Sequence, residues 1–523
     1  MKKFIQNILI NLSLLFFVGL ILALAIRGIS GNPTEQDIND TKWKDDGPFE
    51  LSPDRGRFAL MYSLMENKSF QFSLPVARFA VPDVAYANGQ YVSLFAPALS
   101  FLIAPGYLIG KYFGIGQVGS FAVISLFSII NLVLIRAIAI RLGANKMAAT
   151  IAGFVFLFAT PAFSYAVSLY QHHVSTFLIL FSIYLLMRWK GLWPVALVWL
   201  LTAFSITVDN PNFVFMAPIA IFSISRIILL KTSEKIINFE FKILGGPLIF
   251  FAAIIPITFF LWFNQMSNGD PLKLSGTLPA AKEIDYQGKP FDPRVQITKE
   301  PVPESQKKQK TASGFFKTRN ILNGFYLHLA SSERGMVYYT PVLFLALLGI
   351  PAIRKQNQDM LAILLGVVGA NVLLYSMWGD PWGGWAFGSR YLIPAYAILS
   401  IFLALALSRH RKNIFVIIIF FLLLTYSLSV NTLGALTTSR IPPKGEAKAL
   451  EPISGRQEKF SFDRDIDFLI KEDKSKSFIY QTYVSKYIPA WKYYFLVLIP
   501  LISAAALLII LLRFKKGEEN VQD

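Results

Sequence analysis

The stretch VSLFAPALSFLIAPGYLIGKYF at residues 92–113 is long and apolar enough to cross a membrane, yet it contains Pro97, Pro105 and Gly106. Proline and glycine both disfavour a regular helix. Whether this stretch crosses the membrane determines the orientation of every apolar segment that follows it. The two possible arrangements differ in the side on which they place the lysines and arginines.

The sequence around this stretch has the composition of a polytopic membrane protein. Of its 523 residues 54% are hydrophobic and 16% charged, against about 25% charged in soluble domains. Roughly 20 apolar residues span a bilayer. The pattern therefore predicts an all-α membrane protein with about twelve transmembrane helices, within a range of 11–13, the first of them an uncleaved span. The apolar blocks are 4–26, 118–140, 147–169, 174–187, 191–208, 211–230, 243–263, 336–353, 358–377, 391–408, 413–430 and 493–512.

The distribution of basic residues favours the arrangement in which 92–113 does not cross. The short loops then assigned to the cytoplasm carry twelve lysines and arginines, and those assigned to the other side carry one, Arg390. Counting 92–113 as a span would reverse this ratio, against the positive-inside rule. We therefore predict cytoplasmic termini and a re-entrant or interfacial element at 92–113, within the first outer loop.

Three long outer segments follow from this orientation: 27–117, 264–335 and 431–490. The second contains the run Lys307-Lys308-Gln309-Lys310 and is expected to be partly flexible. We divide the chain into a transmembrane catalytic domain at 1–430, with outer loops 27–117 and 264–335, and a C-terminal part at 431–523. The latter holds the third outer loop, the last helix and a cytoplasmic tail.

Composition also excludes several classes of function. A chain without cysteine has no disulfides, no thiolate nucleophile and no cysteine-ligated metal. Four histidines leave little material for a histidine-rich metal centre. The net charge of +18 is explained by basic cytoplasmic loops rather than by nucleic-acid binding.

The motif SPDRGRF at residues 52–58 follows the first span. Asp54 could cap the helix that starts here, or it could deprotonate an acceptor hydroxyl as a general base. Beside a basic cluster its carboxylate is expected to stay ionised at neutral pH. Asp83, in Pro82-Asp83-Val84, could bind an acceptor or a cation, or could be a turn residue.

Two further motifs lie at outer helix ends. Adjacent histidines in Tyr170-Gln171-His172-His173 project about 100° apart on a helix, so they do not form a chelating pair. His172 is a candidate for hydrogen bonding to substrate, and an ordinary interface role is the alternative. Asp209, in Val208-Asp209-Asn210-Pro211, could equally cap a turn.

The segment WGDPWGGWAFGSRYLIP at residues 378–394 is rich in tryptophan and glycine. The tryptophans could form an aromatic belt at the membrane interface. Glycine-rich backbone allows a ligand to approach closely, and the guanidinium of Arg390 could bind a lipid-linked phosphate at the headgroup level. The stretch SERGMVYYTP at 332–341, which contains Arg334, enters a span from the same side.

Taken in order, these motifs resemble those of the GT-C superfamily of integral membrane glycosyltransferases, in the branch that contains the protein O-mannosyltransferases and the aminoarabinose transferase of lipid A. The resemblance covers about residues 1–430. It rests on Asp54-Arg55, the Tyr91–Pro97 segment, the Tyr-x-His segment, the Asp209 turn, and the Arg334 and Arg390 motifs. One departure is that the mannosyltransferases have two consecutive acids after the first span, whereas here the second position is Arg55.

The resemblance implies an inverting transfer of a hexose or pentose from a polyprenyl-phosphate donor to an acceptor hydroxyl. It implies an active site on the outer side of a prokaryotic plasma membrane. The partners would be the donor, membrane lipids and a lipid, glycan or protein acceptor, with no nucleic acid. No cofactor is expected, although a divalent cation bound by Asp54, Asp83 and Asp209 stays open. The implied roles are Asp54 as general base, Arg390, Arg334 and Arg55 as contacts to the donor phosphate, and Asp83, Asp209, His172 and Tyr91 as acceptor-side or supporting residues.

Two other functions compete with this one. A cell-envelope polysaccharide polymerase or ligase would rely on the basic residues of 264–335 rather than on Asp54. A transporter of lipid-linked sugars would place ionisable residues near the middle of the bilayer. The predicted spans are nearly free of charge, which argues against transport.

Overall fold

The structure is a computed structural model that describes residues 2–233, 236–241, 246–291 and 312–514. The predicted flexible run Lys307-Lys308-Gln309-Lys310 lies outside these residues. Each of the twelve apolar blocks is mainly helical in its described part, because an apolar segment satisfies its backbone polar groups most readily as helix. The block at 211–230 is the exception at its end, where Ile228 begins a strand. The α-helices are α1 (Lys2–Ala25), α2 (Ser52–Tyr62), α3 (Leu74–Ala80), α4 (Ala98–Tyr112), α5 (Gly116–Arg141), α6 (Lys146–Phe158), α7 (Ala162–Ala166), α8 (His172–Arg188), α9 (Leu192–Val208), α10 (Asn212–Ser225), α11 (Ile254–Asn268), α12 (Ile321–Leu329), α13 (Met336–Tyr339), α14 (Ile350–Gln356), α15 (Gln358–Ser376), α16 (Ile393–His410), α17 (Ile414–Leu436), α18 (Lys444–Ser454), α19 (Asp463–Ile470) and α20 (Ala490–Phe514).

Six helical segments within the described part of the chain are long and apolar enough to cross a membrane. Five shorter apolar helices accompany them, which confirms a helical polytopic membrane protein. The six are Gly116–Arg141, Gly246–Asn268, Gln358–Ser376, Arg390–His410, Ile414–Leu436 and Ala490–Phe514, and the five are Leu12–Ala25, Lys146–Phe158, His172–Arg188, Leu192–Val208 and Asn212–Ser225. The block at 336–353 is helical in three pieces, with the 3₁₀ segment Pro341–Gly349 between α13 and α14.

Within the segment 92–113, residues Ala98–Tyr112 form helix α4, which packs along α5, whereas Val92 and Ser93 end a short strand. Pro105 lies inside this helix, so the expectation that proline and glycine would prevent a regular helix is wrong here. Close packing compensates for the weakened backbone: a Cβ on Gly119 of α5 would lie 2.1 Å from the carbonyl oxygen of Gly106. Fifteen residues make a helix about 22 Å long, shorter than the hydrocarbon core of about 30 Å.

Short strands join the predicted outer segments. The four-stranded antiparallel sheet has the order β1-β3-β2-β6, in which Val84 of the first outer segment pairs with Ala281 of the second. Asn88 and Gly89, both with positive φ, form the two-residue turn between β2 and β3. The strands are β1 (Gln71–Phe72), β2 (Val84–Ala87), β3 (Gln90–Ser93), β4 (Ile228–Ser233), β5 (Ile236–Phe241), β6 (Ala280–Ala281), β7 (Glu283–Ile284) and β8 (Pro290–Phe291).

The third outer segment contacts the first. The backbone of Arg27 forms an antiparallel bridge with Ser477, and the side chain of Glu50 accepts a hydrogen bond from the amide of Ser439. The three long segments that the orientation rule assigned to one side therefore contact one another.

Candidate functional site

Asp54 lies in the first turn of α2, fully enclosed by protein. The residue before this helix is Leu51, and no side chain caps the helix by a hydrogen bond. The capping role considered for Asp54 is therefore wrong. Its side chain is buried, and its Oδ1 atom has no hydrogen-bond partner among the described residues.

Burial decides the charge state of Asp54. It raises the pKa of this carboxyl to about 8, although Arg27, Arg57 and Arg390 attract its negative charge, while Glu50 repels it. The expectation that nearby basic groups keep Asp54 ionised at neutral pH is therefore wrong. Burial, rather than the neighbouring arginines, therefore has the larger effect on the pKa of Asp54.

Arg57 connects Asp54 to the other predicted motifs. It follows Asp54 by three residues, and this spacing places both side chains on one face of α2. Its Nη2 donates to Gln171 Oε1 at 2.6 Å, and Gln171 Nε2 donates to Asp209 Oδ2 at 2.7 Å. Burial raises the pKa of Asp209, which Gln171 and Arg57 partly offset.

Arg390 approaches the same point from the 378–394 segment. Its guanidinium carbon lies 4.8 Å from the ring centroid of Tyr170 and 5.5 Å from that of Tyr391. Its Nη2 donates to the carbonyl of Gly383 at 2.7 Å. The φ of Gly383 is +74°, a conformation that favours glycine. The remaining nitrogens of Arg390, Nε and Nη1, are buried and make no hydrogen bond of good geometry within the described structure, although the guanidinium also interacts with the hydroxyl of Tyr391.

The ring of Tyr170 occupies the middle of this arrangement. It stacks on the ring of His172 at 5.8 Å between centroids, and the guanidinium of Arg57 lies 5.6 Å from it. Tyr170 Oη and His172 Nε2 are buried, and neither has a hydrogen-bond partner within the described ranges. We refer to these residues as the Asp54 cluster: Asp54, Arg57, Tyr170, Gln171, His172, Asp209 and Arg390.

Several buried polar atoms of the Asp54 cluster lack hydrogen-bond partners. Five of its buried atoms lack a partner in the described part of the chain: Asp54 Oδ1, Tyr170 Oη, His172 Nε2, and Arg390 Nε and Nη1. Buried polar atoms nearly always have a partner, and leaving one without costs about 1–3 kcal/mol. A concentration of such atoms marks a place where a polar ligand would complete the hydrogen bonding.

Three of the other predicted site residues have partners elsewhere. Arg55 donates to the carbonyls of Phe49, Glu50 and Val81. Asp83 accepts from Ser52 Oγ at 2.6 Å, and Tyr91 Oη donates to the carbonyl of Gly288 at 2.9 Å. The structure therefore brings Asp54, Asp209, His172 and Arg390 together, and does not add these three to the cluster.

Arg334 is completely buried, and its guanidinium donates hydrogen bonds to four backbone carbonyls. These belong to Glu333, Trp382, Gly384 and Ile441, at 2.8–3.3 Å. Two of them, the carbonyls of Trp382 and Gly384, lie in the 378–394 segment that contains Arg390. Arg334 thus fixes the backbone that presents Arg390.

Sequence analysis missed a second buried set of charges next to the Asp54 cluster. Arg27 Nη1 lies 3.1 Å from Glu50 Oε1, and Lys476 Nζ lies 3.4 Å from Glu50 Oε2. The three residues are far apart in sequence, so no local motif marks them. Glu50 and Lys476 also border a cavity of about 1050 Å³ that is lined by charged side chains of both signs.

Metal ligands do not gather in the described residues. Within these ranges no three His, Asp or Glu side chains lie close enough together to hold a metal ion. Asp83 belongs to a separate contact with Ser52, so the three aspartates considered for a cation do not form one site.

Comparisons with known proteins give one structural likeness. No protein-family model matches the chain, and no curated protein matches its sequence. The structure is similar to the crystal structure of ArnT from Cupriavidus metallidurans in the apo state, with a TM-score of 0.45 and 12% sequence identity, over 98% of this chain and 78% of that chain.

Proposed function

We propose that this chain is a membrane glycosyltransferase that moves a sugar from a polyprenyl-phosphate donor to an acceptor hydroxyl, with inversion. The acceptor is a lipid, a glycan or a protein, and the site faces the non-cytoplasmic side of a prokaryotic membrane. The observation that carries the proposal is the Asp54 cluster. It brings the carboxyl groups of Asp54 and Asp209 together with two arginines, Arg57 and Arg390, and five of its buried polar atoms have no hydrogen-bond partner among the described residues.

The roles follow from the chemistry of each group. Asp54 in its ionised form takes the proton from the acceptor hydroxyl, whose oxygen bonds to the anomeric carbon. The bond from that carbon to the phosphate oxygen breaks, and the phosphate leaves with the electron pair. Arg390 and Arg57 stabilise the added negative charge, and Arg390 still has two nitrogens free to bind it.

The other residues support these three. Asp209 and Gln171 hold Arg57, and His172 Nε2 is available for a substrate hydroxyl. Arg334 and Arg55 act through the backbone they hold rather than through the phosphate. The proposed reaction needs no metal, because the leaving group is an activated phosphate ester.

The test is Asp54→Asn in protein reconstituted into liposomes, with polyprenyl-phosphate hexoses and pentoses as donors and release of polyprenyl phosphate as the readout. We expect a loss of at least about 100-fold in turnover. For the wild-type protein, kcat/KM should rise about tenfold per pH unit below pH 8 and level off above it. This sign follows because the base must be deprotonated and its pKa is raised to about 8.

Asp40→Asn is the matched control, since Asp40 is an exposed carboxylate of the same outer segment, 3.7 Å from Lys42. It should retain wild-type turnover. Full activity of Asp54→Asn would overturn the mechanism. If activity were lost instead on replacing lysines of the second outer segment, such as Lys289, the polymerase or ligase alternative would hold.

A further inference from the structure

Glu50 is a buried carboxylate surrounded by donors. Its side chain accepts hydrogen bonds from Arg27 Nη1 at 3.1 Å, from Thr438 Oγ1 at 2.7 Å and from the amide of Ser439, and Lys476 Nζ lies 3.4 Å away. Burial pushes the pKa of Glu50 upward, but Lys476, Arg27 and the hydrogen bonds together lower it. Glu50 therefore carries a full negative charge inside the protein.

Arg27 lies between this charge and the Asp54 cluster. It pairs with Glu50, donates through Nη2 to the carbonyl of Gly434 at 3.0 Å, and attracts the charge of Asp54. Its Nε atom has no partner in the described residues. Arg27 thus contacts Glu50 directly and attracts the charge of Asp54 electrostatically, while the two carboxyl groups repel each other.

Lys476 is the second cation beside Glu50 and lies near its Oε2 atom. Its Nζ donates to the carbonyls of Asp46 and Gly47 at 3.0 and 3.2 Å. Lys476 belongs to the third outer segment, whereas Glu50 and Arg27 belong to the first. The ion set is therefore complete only when these two segments are docked.

The charged and titratable groups that act on each carboxyl come from several elements. Around Asp54, three arginines favour the ionised form and Glu50 opposes it, while the carboxyl also interacts with Arg55 and Tyr170. Around Glu50, Lys476 and Arg27 favour the charge and Asp465 lies near enough to repel it. Glu50 is the carboxylate among these groups that repels the ionised form of Asp54.

We propose that Glu50, held between Arg27 and Lys476, is a positioning residue whose buried charge acts on Asp54 through their shared neighbour Arg27. Its role in catalysis rests on the proposed function, because it assumes that Asp54 is the base. The electrostatic link itself can be measured without any turnover. It gives Glu50 an effect on the proton of Asp54 without any contact with substrate.

The experiment titrates Asp54 by the infrared C=O stretch of its protonated carboxyl, which is assigned by its loss in Asp54→Asn. Asp465→Asn serves as the background, because burial raises the pKa of Asp465 to about 8 as well. In Glu50→Gln the midpoint should fall by about one pH unit, since a repelling charge is removed and Arg27 is freed for Asp54. In Lys476→Met it should rise, since Glu50 loses a partner and Arg27 is drawn toward it.

Lys474→Met is the matched control, because Lys474 is an exposed lysine of the same segment that pairs with Glu472 at 3.4 Å. It should leave the midpoint unchanged. Opposite shifts in Glu50→Gln and Lys476→Met support the proposal, and an unchanged midpoint in either variant with wild-type thermal melting overturns it. If Glu50→Gln does not fold, the shift in Lys476→Met decides alone.

The pH profile of kcat/KM separates this inference from the proposed function. If the infrared midpoints and the kinetic midpoints move together, both are supported. If the infrared midpoints shift while the kinetic profile stays where it was, the link from Glu50 to Asp54 is supported and Asp54 is overturned as the base.

Discussion

At the scale of single residues, the proposed chemistry depends on Asp54 and Arg390. Asp54 stands in a proline-started helix after the first span, and Arg390 is the lone basic residue of a short outer loop. Burial raises the pKa of Asp54 despite the attraction of three neighbouring arginines, and complete burial is a property of the assembled fold that the local motif does not reveal.

Arg390 offers the sharpest residue-scale prediction. Arg390→Lys keeps the positive charge but loses the planar fork and the favourable face-on contact with Tyr170. We expect the KM for a polyprenyl-phosphate sugar to rise about tenfold or more, corresponding to roughly 1.4 kcal/mol. Initial rates at varied donor concentration in liposomes measure this.

The same substitution at an arginine far from the Asp54 cluster serves as the control for Arg390→Lys. Arg188→Lys, at the opposite end of α8 from His172, should leave the KM for the donor unchanged. An Arg390→Lys protein with wild-type KM would show that the fork of Arg390 does not hold the donor.

At the scale of elements, the α4–α5 hairpin depends on glycine. A Cβ on Gly119 would lie 2.1 Å from the backbone oxygen of Gly106 and 2.9 Å from the Cα of Gly110. The backbone atoms of packed helices cannot move aside to relieve such a clash, whereas the end of a flexible side chain can. We therefore expect Gly119→Ala to destabilise the protein by about 1–3 kcal/mol, visible as a lower melting temperature in detergent.

Gly369→Ala is the control at this scale, because a Cβ there would meet no atom within 4 Å in α15. Alanine favours helix over glycine by about 1 kcal/mol, so this variant should melt at or above the wild-type temperature. Equal melting of Gly119→Ala and wild type would mean that the two helices can separate without cost.

The elements also show what pattern can and cannot predict. Hydropathy located the long apolar helices of the described residues, since a span of such length has few other ways to satisfy its backbone. It did not predict the strand pairing of Val84 with Ala281 or the contact between Arg57 and Gln171. Both join residues more than 100 positions apart, and the two-residue strand β6 is too short to leave a periodic signal.

At the scale of the whole molecule, the orientation rule and the fold agree on one point. The three segments assigned to the outer side meet through the β2–β6 pairing and through the ion set around Glu50. Segments on opposite sides of a bilayer could not make these contacts. The agreement concerns their relation to one another, and the proposal that they face outward needs a separate measurement.

The absence of cysteine makes that measurement direct. Single cysteines at exposed positions of the three segments, Gln90→Cys, Tyr286→Cys and Lys471→Cys, should react with a membrane-impermeant maleimide in intact cells. Lys412→Cys, exposed in the loop between α16 and α17, is the matched opposite and should react only after lysis. Labelling of Lys412→Cys alone in intact cells would invert the molecule and place the Asp54 cluster in the cytoplasm. Labelling of all four in intact cells would contradict the predicted topology. The loop between α16 and α17 would then lie on the same side of the membrane as the three outer segments.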